Sequence, residues 1–362
     1  MDFELSELVE RVMTARAGKR ALYVRGGGTK DFYGEPDGLR GANHCAVLDV
    51  SAYHGVVNYQ PSELVVTARG GTLLADIERL LDEHGQMLAF EPPRFGASST
   101  LGGCVAAGLS GPRRAAAGRL RDFVLGAKLL DSSGAVLGFG GEVMKNVAGY
   151  DVSRLLAGSL GIFGVLVEVS LKVVPKPLVE KTLALEVDEA GALALFNQWR
   201  GKPLPVSATV WMAREGRGVL WVRLSGSAPA VRSGIEAIGG ELLEPADADR
   251  HWASVRDQTH PFFRARPLWR LALPPQTGPV GLGPTLIEWN GGQRWLVQPP
   301  PAHDLRARAV QLGGHATRFR GDADGVPVFQ PLPVPLMNIS RRLKHALDPV
   351  GIFNPKRLFP EF

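Results

Sequence analysis

The sequence predicts an α+β protein built as two modules, and three observations lead there. Strand, turn and helix patterns alternate through the first third of the chain, glycine is concentrated in the middle, and a proline-bracketed break precedes glycine-poor strands and helices. At 362 residues the chain can bury a large core and form two domains. The expected divisions are 1–177, itself split near residue 50 into two α+β subdomains, then 178–330 with a mainly antiparallel sheet. Residues 331–362 are expected to form a C-terminal helix and tail.

The elements follow in order. Residues 1–18, MDFELSELVERVMTARAG, place apolar side chains at helical spacing with acids early, which predicts an amphipathic helix rather than the basic start and apolar middle of a secretory signal. Ala21–Arg25 reads as a short strand and His44–Ser51 as another. Leu64–Thr67 alternates as a strand, Gly70-Gly71 turns, and Leu73–Glu83 runs as a helix closed by Gly85. Of the 44 glycines, 15 lie between Gly96 and Gly164, where an even spread would place about eight. No repeat explains that density, so it marks backbone packed closely against something. Strand patterns surround the Ser132-Ser133-Gly134 turn, and VLVEVSLKVVP ends a further strand at Pro175. Pro175-Lys176-Pro177 is a stiff connection. Beyond it strands such as SATVWMA, GVLWVRLS, LWRLALP and HATRFRG alternate with helices such as AGALALFNQWRG and AHDLRARAVQLG. The Pro327–Pro335 stretch leads to a last helix, LMNISRRLKHALDP, and the tail GIFNPKRLFPEF.

Composition narrows function. A formal charge of +5 is mildly basic, and the basic residues are scattered without interleaved aromatics, which argues against a nucleic-acid surface. Cys45 and Cys104 are the only cysteines, which excludes a disulfide scaffold, a cysteine zinc site and a self-contained iron–sulfur cluster. The most apolar run, Leu155–Val167, is interrupted by glycines and too short to span a bilayer. The expected location is cytoplasmic, with peripheral attachment at the inner face of a membrane compatible.

The stretch ALYVRGGGTKDFYG carries the first chemistry. It fails the dinucleotide fingerprint, because Asp31 stands where a third glycine belongs and Gly34, Pro36 and Gly38 oppose a helix. It fails the P-loop pattern, because Thr29 and Lys30 are in the wrong order. Consecutive glycine N–H groups can still form an anion-binding nest without a helix. On these residues alone, a plain turn and a ligand loop stand level.

Five segments in order resemble the FAD-binding domain of the vanillyl-alcohol oxidase and p-cresol methylhydroxylase (PCMH) family, and within it the smaller flavin subunits of bacterial glycolate oxidases. These are VRGGGTK, YQPSELVVTARGGTLLADIERLLDEHGQML, STLGGCVAAGLSGPRR, LLAGSLGIFGVLVEVSLKVVPKP and LDPVGIFNPKRLFP. The resemblance implies a PCMH-type FAD-binding domain plus a cap. Arg25, Gly26, Gly27, Gly28, Thr29 and Lys30 would form one side of a diphosphate clamp. Ser99, Thr100, Leu101, Gly102, Gly103 and Gly108 would form the other. Asn146, Gly149, Tyr150 and Asp151 would lie near the flavin, Gly164 and Val165 beside the adenosine, and Asn354 on the returning tail. Members with covalent FAD carry a histidine in the first loop. Gly28-Thr29-Lys30 has none, so noncovalent FAD is expected.

The resemblance also implies partners: a larger FAD-binding glycolate oxidase subunit, an iron–sulfur subunit, and a small 2-hydroxy acid as substrate of the complex. Larger relatives carry a His-Gly-Asp-Gly-Asn-x-His-like metal motif that this chain lacks; its nearest echo is GHATRFRGDADG. No metal is therefore expected. His315, Arg318 and Tyr150 are the candidate catalytic groups, and Arg320 and Arg341 are further cations, but none stands in a catalytic motif. Two alternatives remain open: a self-sufficient FAD-dependent 2-hydroxy-acid dehydrogenase, for example for D-lactate, and a non-catalytic assembly subunit.

Overall fold

The computed structural model describes residues 3–35, 45–141, 151–214, 217–321 and 325–362. Two antiparallel sheets organise it. The first has five strands in the spatial order Val56–Gln60, Val65–Arg69, Val165–Lys172, Val124–Leu130 and Val136–Gly140. Helix Leu74–Asp82 covers it with Leu74, Ile77 and Leu81, all fully buried. Their spacing puts them on one helix face, and each contributes about 2 kcal/mol by leaving water.

Helix Leu101–Ala107 packs into the same core through Leu101, Cys104 and Val105. Nothing in the sequence announces this helix, because Gly102 and Gly103 each disfavour one by about 1 kcal/mol. Close packing overrides propensity here. The Gly102 N–H donates to Gly70 O at 2.7 Å, and a β-carbon on Gly102 would stand 3.0 Å from that oxygen.

The chain ends meet beside this layer. Ala21–Arg25 pairs in parallel with Cys45–Asp49, and the tail adds to it through a Leu22–Phe353 bridge. Helix Phe3–Ala17 buries Leu8, Val12 and Ala15 against Leu22, Leu48, Ile352 and Phe353.

The second sheet has eight strands in the order Glu241–Leu242, Val179–Glu186, Arg217–Gly226, Val206–Arg214, Thr285–Glu288, Gln293–Val297, Leu268–Ala272 and His315–Arg320. Helices Glu189–Trp199 and Ala228–Ile238 cover part of one face around Leu183, Leu220 and Val222. Helix Ala302–Gln311 covers the rest of that face around Leu271 and Ala316. The other face meets the first domain in a shared core, where Tyr33, Leu109 and Leu160 pack with Val210, Met212, Trp295 and Phe319. Charge closes the same junction. Glu91 accepts from Arg223 at 2.8 Å, and Arg113 donates to Glu180 at 2.7 Å. The two guanidinium groups hold the buried Glu91 carboxyl below its ordinary range against the desolvation that opposes them.

Candidate cofactor site

The two glycine loops interlock. A β-carbon on Gly27 would lie 1.5 Å from Ser98 O, and one on Gly26 would lie 2.3 Å from Thr100 Oγ1. Ser98 Oγ donates to Gly27 O at 2.8 Å, and Lys30 Nζ donates to Ser99 Oγ at 2.6 Å. Gly28 takes φ +71, a conformation glycine adopts without strain. Thr100 caps helix Leu101–Ala107 by accepting from Gly103 N, and Gly108 ends it at φ +63. Asp31 pins the first loop from outside, accepting from Tyr23 OH at 2.8 Å and Arg25 Nε at 2.9 Å.

This arrangement fits a diphosphate. Among the described residues, the backbone N–H groups of Gly26, Gly27, Gly28, Thr29 and Lys30 have no acceptor. A run of unpaired donors is the feature an anion satisfies. Lys30 adds a cation whose pKa burial lowers, and an incoming anion would reverse that cost. Cys104 lies close by, but burial pushes its thiol up to about 12, so it serves as a small apolar side chain.

The remaining expected contacts hold the clamp in place. Asn354 is buried; its Oδ1 accepts from Val24 N at 2.7 Å and its Nδ2 donates to Leu160 O at 2.6 Å. It thus ties the strand feeding the first loop to the segment before Gly164. Gly164 has φ +149, and a β-carbon there would meet Leu130 O at 2.6 Å, while Val165 pairs with Leu130. Asp151 caps helix Val152–Leu156 and pairs with Arg154 at 3.2 Å. Asn146, Gly149 and Tyr150 lie outside the described residues.

On the cap, the strand His315–Arg320 decides which candidates face this site. His315 pairs with Ala272 and Thr317 with Arg270, which puts them on the side of the shared core. Arg318 pairs with Trp269 and points to the opposite face, where its charge acts on Glu35 and Arg306. A bulge at Phe319 then shifts the register, so that Arg320 pairs with Leu268 and returns to the junction. Its guanidinium lies 4.4 Å from the Phe32 ring and 5.2 Å from Phe95. His315 and Arg318 are therefore not neighbours in function, and Arg341 is exposed on the C-terminal helix Val334–Leu347. His315 is held neutral to lower pH by burial and by Arg270 and Arg114.

Sequence reasoning missed a group between the domains. Phe95, Ser110, Arg270, Glu288, Trp295 and Phe319 help line a small cavity of about 20 Å³, room for about one water. Glu288 is fully buried, and its Oε2 accepts from Gln293 Nε2 at 2.8 Å and Trp295 Nε1 at 2.5 Å. Burial raises its carboxyl to about 7 against those two donors. Arg270 donates to Tyr33 OH at 3.1 Å. The only signal in the sequence is an acid inside the apolar strand TLIEW.

Comparison with known proteins agrees with this geometry. Residues 4–140 match the family described as FAD binding domain. Glycolate oxidase subunit GlcE of Escherichia coli (strain K12) is 43% identical over 356 residues, covering 98% of this chain and 97% of its own. Glycolate oxidase subunit GlcD of Bacillus subtilis (strain 168) is 32% identical over 139 residues, 38% of this chain and 29% of GlcD. The solved structure of alkyldihydroxyacetonephosphate synthase shares the fold, with a TM-score of 0.68 at 14% identity over 98% of this chain and 76% of that one. The chain is an FAD protein and belongs to the GlcE family of glycolate oxidase subunits, FAD-dependent oxidoreductases with a PCMH-type FAD-binding domain.

Proposed function

We propose that this chain is the smaller FAD-binding subunit of a glycolate oxidase complex. It works with a larger flavin subunit and an iron–sulfur subunit to oxidise glycolate to glyoxylate. The observation that carries this reading is the near-complete match to GlcE, at 43% identity across both chains. The more limited match to GlcD fits a larger relative that shares only the flavin domain. With two cysteines, this chain has too few thiolates for its own cluster, so electrons leave to a partner that holds one. It resides in the cytoplasm and reaches the membrane only through partners or peripherally.

FAD, held noncovalently, supplies hydride acceptance from a hydroxyl-bearing carbon. The N–H groups of Gly26–Lys30 and the Lys30 ammonium hold its diphosphate, and the Ser98–Gly103 loop closes over them. Lys30, drawn to Ser99, keeps the two loops in contact, while Asn354 holds the strand Ala21–Arg25 at the correct height. Phe95, Trp295 and Phe319 form an apolar wall at the junction.

A second reading, a self-sufficient 2-hydroxy-acid dehydrogenase, is favoured by one observation: a cation and an ionisable acid line the same small cavity, which must widen to admit a substrate. There Arg270 would hold the substrate carboxylate, and Glu288 Oε1, which takes neither neighbouring donor, would receive the hydroxyl proton. Anaerobic mixing of the purified, FAD-loaded chain with glycolate or D-lactate separates the readings. The complex reading expects the flavin to stay oxidised until the larger subunit is added. Rapid bleaching of the isolated chain would replace it with the second. Co-purification from the native host tests the partners, and absence of an iron–sulfur protein from the purified complex would refute that part.

A further inference from the structure

A cleft of about 730 Å³ opens between the segment Arg114–Asp122 of the first domain and the cap's helix Glu189–Trp199. That size is ordinary for a small-molecule site, about 300–1,000 Å³. It shares no lining residue with the glycine loops or with the cavity at Glu288. Its walls carry Arg114, Arg119 and Arg200 against a single acid, Asp122, together with the indoles of Trp199 and Trp289. Arg119 is the arginine that pairs with Asp122, at 3.7 Å.

Arg114 is the unusual member. Its guanidinium lies 4.0 Å from the centroid of the Trp289 ring. Among the described residues it makes no ion pair, and no hydrogen bond of its side chain is present. Burial and the like charges of Arg119 and Arg270 lower its pKa to about 10. A partly desolvated cation among other cations is costly unless an anion arrives. The platform beneath it is rigid, because Trp289 Nε1 donates to Gly111 O at 3.0 Å and the ring is buried. A guanidinium stacked on a fixed indole keeps its N–H fork free to take two oxygens of one acid group.

We propose that this cleft binds a small aromatic anion. Its carboxylate or phosphate sits on the Arg114 fork with Arg200 nearby, and its ring lies against the Trp199 side of the cleft. The site is separate from the flavin clamp, so the chain holds FAD and this ligand together.

The test is calorimetric titration of the FAD-loaded full chain with salicylate, phenyl phosphate and inorganic phosphate. At least one of the two aromatic anions is expected to bind saturably, one per chain, with a Kd below ~1 mM, and inorganic phosphate at least ~10-fold more weakly. Which aromatic anion binds more tightly separates a carboxylate ligand from a phosphate one. Arg114→Gln should weaken binding at least ~10-fold at unchanged flavin content, and Trp199→Ala should weaken the aromatic anions while leaving inorganic phosphate unchanged. Should Arg114→Gln lose flavin, the exposed Arg200→Gln carries the same test. No saturable binding of either aromatic anion would overturn the proposal. So would inorganic phosphate binding as tightly as the aromatic probes, or binding that both arginine variants leave unchanged.

Discussion

Gly27→Ala puts one methyl group where the structure leaves no space. The new β-carbon would stand 1.5 Å from Ser98 O, 2.4 Å from Ser98 C and 2.8 Å from Ser98 Cβ. Two of these atoms are backbone, so no side-chain rotation relieves the clash. Opening the contact to about 3 Å moves one loop by about 1.5 Å. Hydrogen bonds to phosphate oxygen lose most of their strength over such a shift. If two of the charge-assisted bonds from Gly26–Lys30 are lost, FAD binding weakens by about 3–6 kcal/mol. That corresponds to a rise in Kd of about a hundred- to ten-thousand-fold. The assays are the flavin-to-protein absorbance ratio after gel filtration and titration of apoprotein with FAD, followed by quenching of flavin fluorescence. Gly138→Ala is the control, since a β-carbon there meets nothing within 4 Å. Cap tryptophan fluorescence should stay unchanged in both variants. A Gly27→Ala protein with full flavin content and an unaltered FAD affinity would refute the interlocked-clamp reasoning.

Three further outcomes are expected. Glu288 binds its proton up to about 7 in the folded chain against 4.5 unfolded, so stability falls as pH rises between those values and the loss is complete above 7. Glu288→Gln should therefore be more stable than wild type by up to about 3 kcal/mol at pH 8 and nearly equal to it at pH 4.5. Thermal melts giving the same difference at both pH values would contradict the assignment. Asn354→Ala removes the partner of Val24 N–H and of Leu160 C=O, both internal, and should destabilise by about 2–5 kcal/mol. A melting temperature within a degree of wild type would show those bonds to be dispensable. Acid precipitation should release the flavin into the supernatant, because no histidine stands at Gly28-Thr29-Lys30. Yellow colour retained in the pellet would establish a covalent link.

Local chemistry was legible where a residue type has one dominant physical reason to be present. Consecutive glycines at 26–28 announce close backbone approach, Pro175 and Pro177 announce a break, and two lone cysteines bar a self-contained cluster. Helix Leu101–Ala107 was not legible, because its glycines have poor propensity and are paid for by contact with Gly70, about thirty residues away.

What the sequence determined by itself is the pair of glycine loops, the tail that returns with Asn354, and through them the flavin family. These are short-range patterns in which backbone freedom and the order of segments carry the information. Tertiary structure decided what each loop meets, since Gly27 and its partner Ser98 are 71 residues apart. It also decided which cap cations face the junction. The bulge at Phe319 sends Arg320 inward and leaves Arg318 on the far side, a result set by pairing with Leu268 and Trp269 rather than by alternation along the strand. Glu288 and Arg114 follow the same logic. The raised pKa of Glu288 and the stacking of Arg114 on Trp289 are properties of the neighbours that folding brings to them, and no pattern along the chain encodes those neighbours.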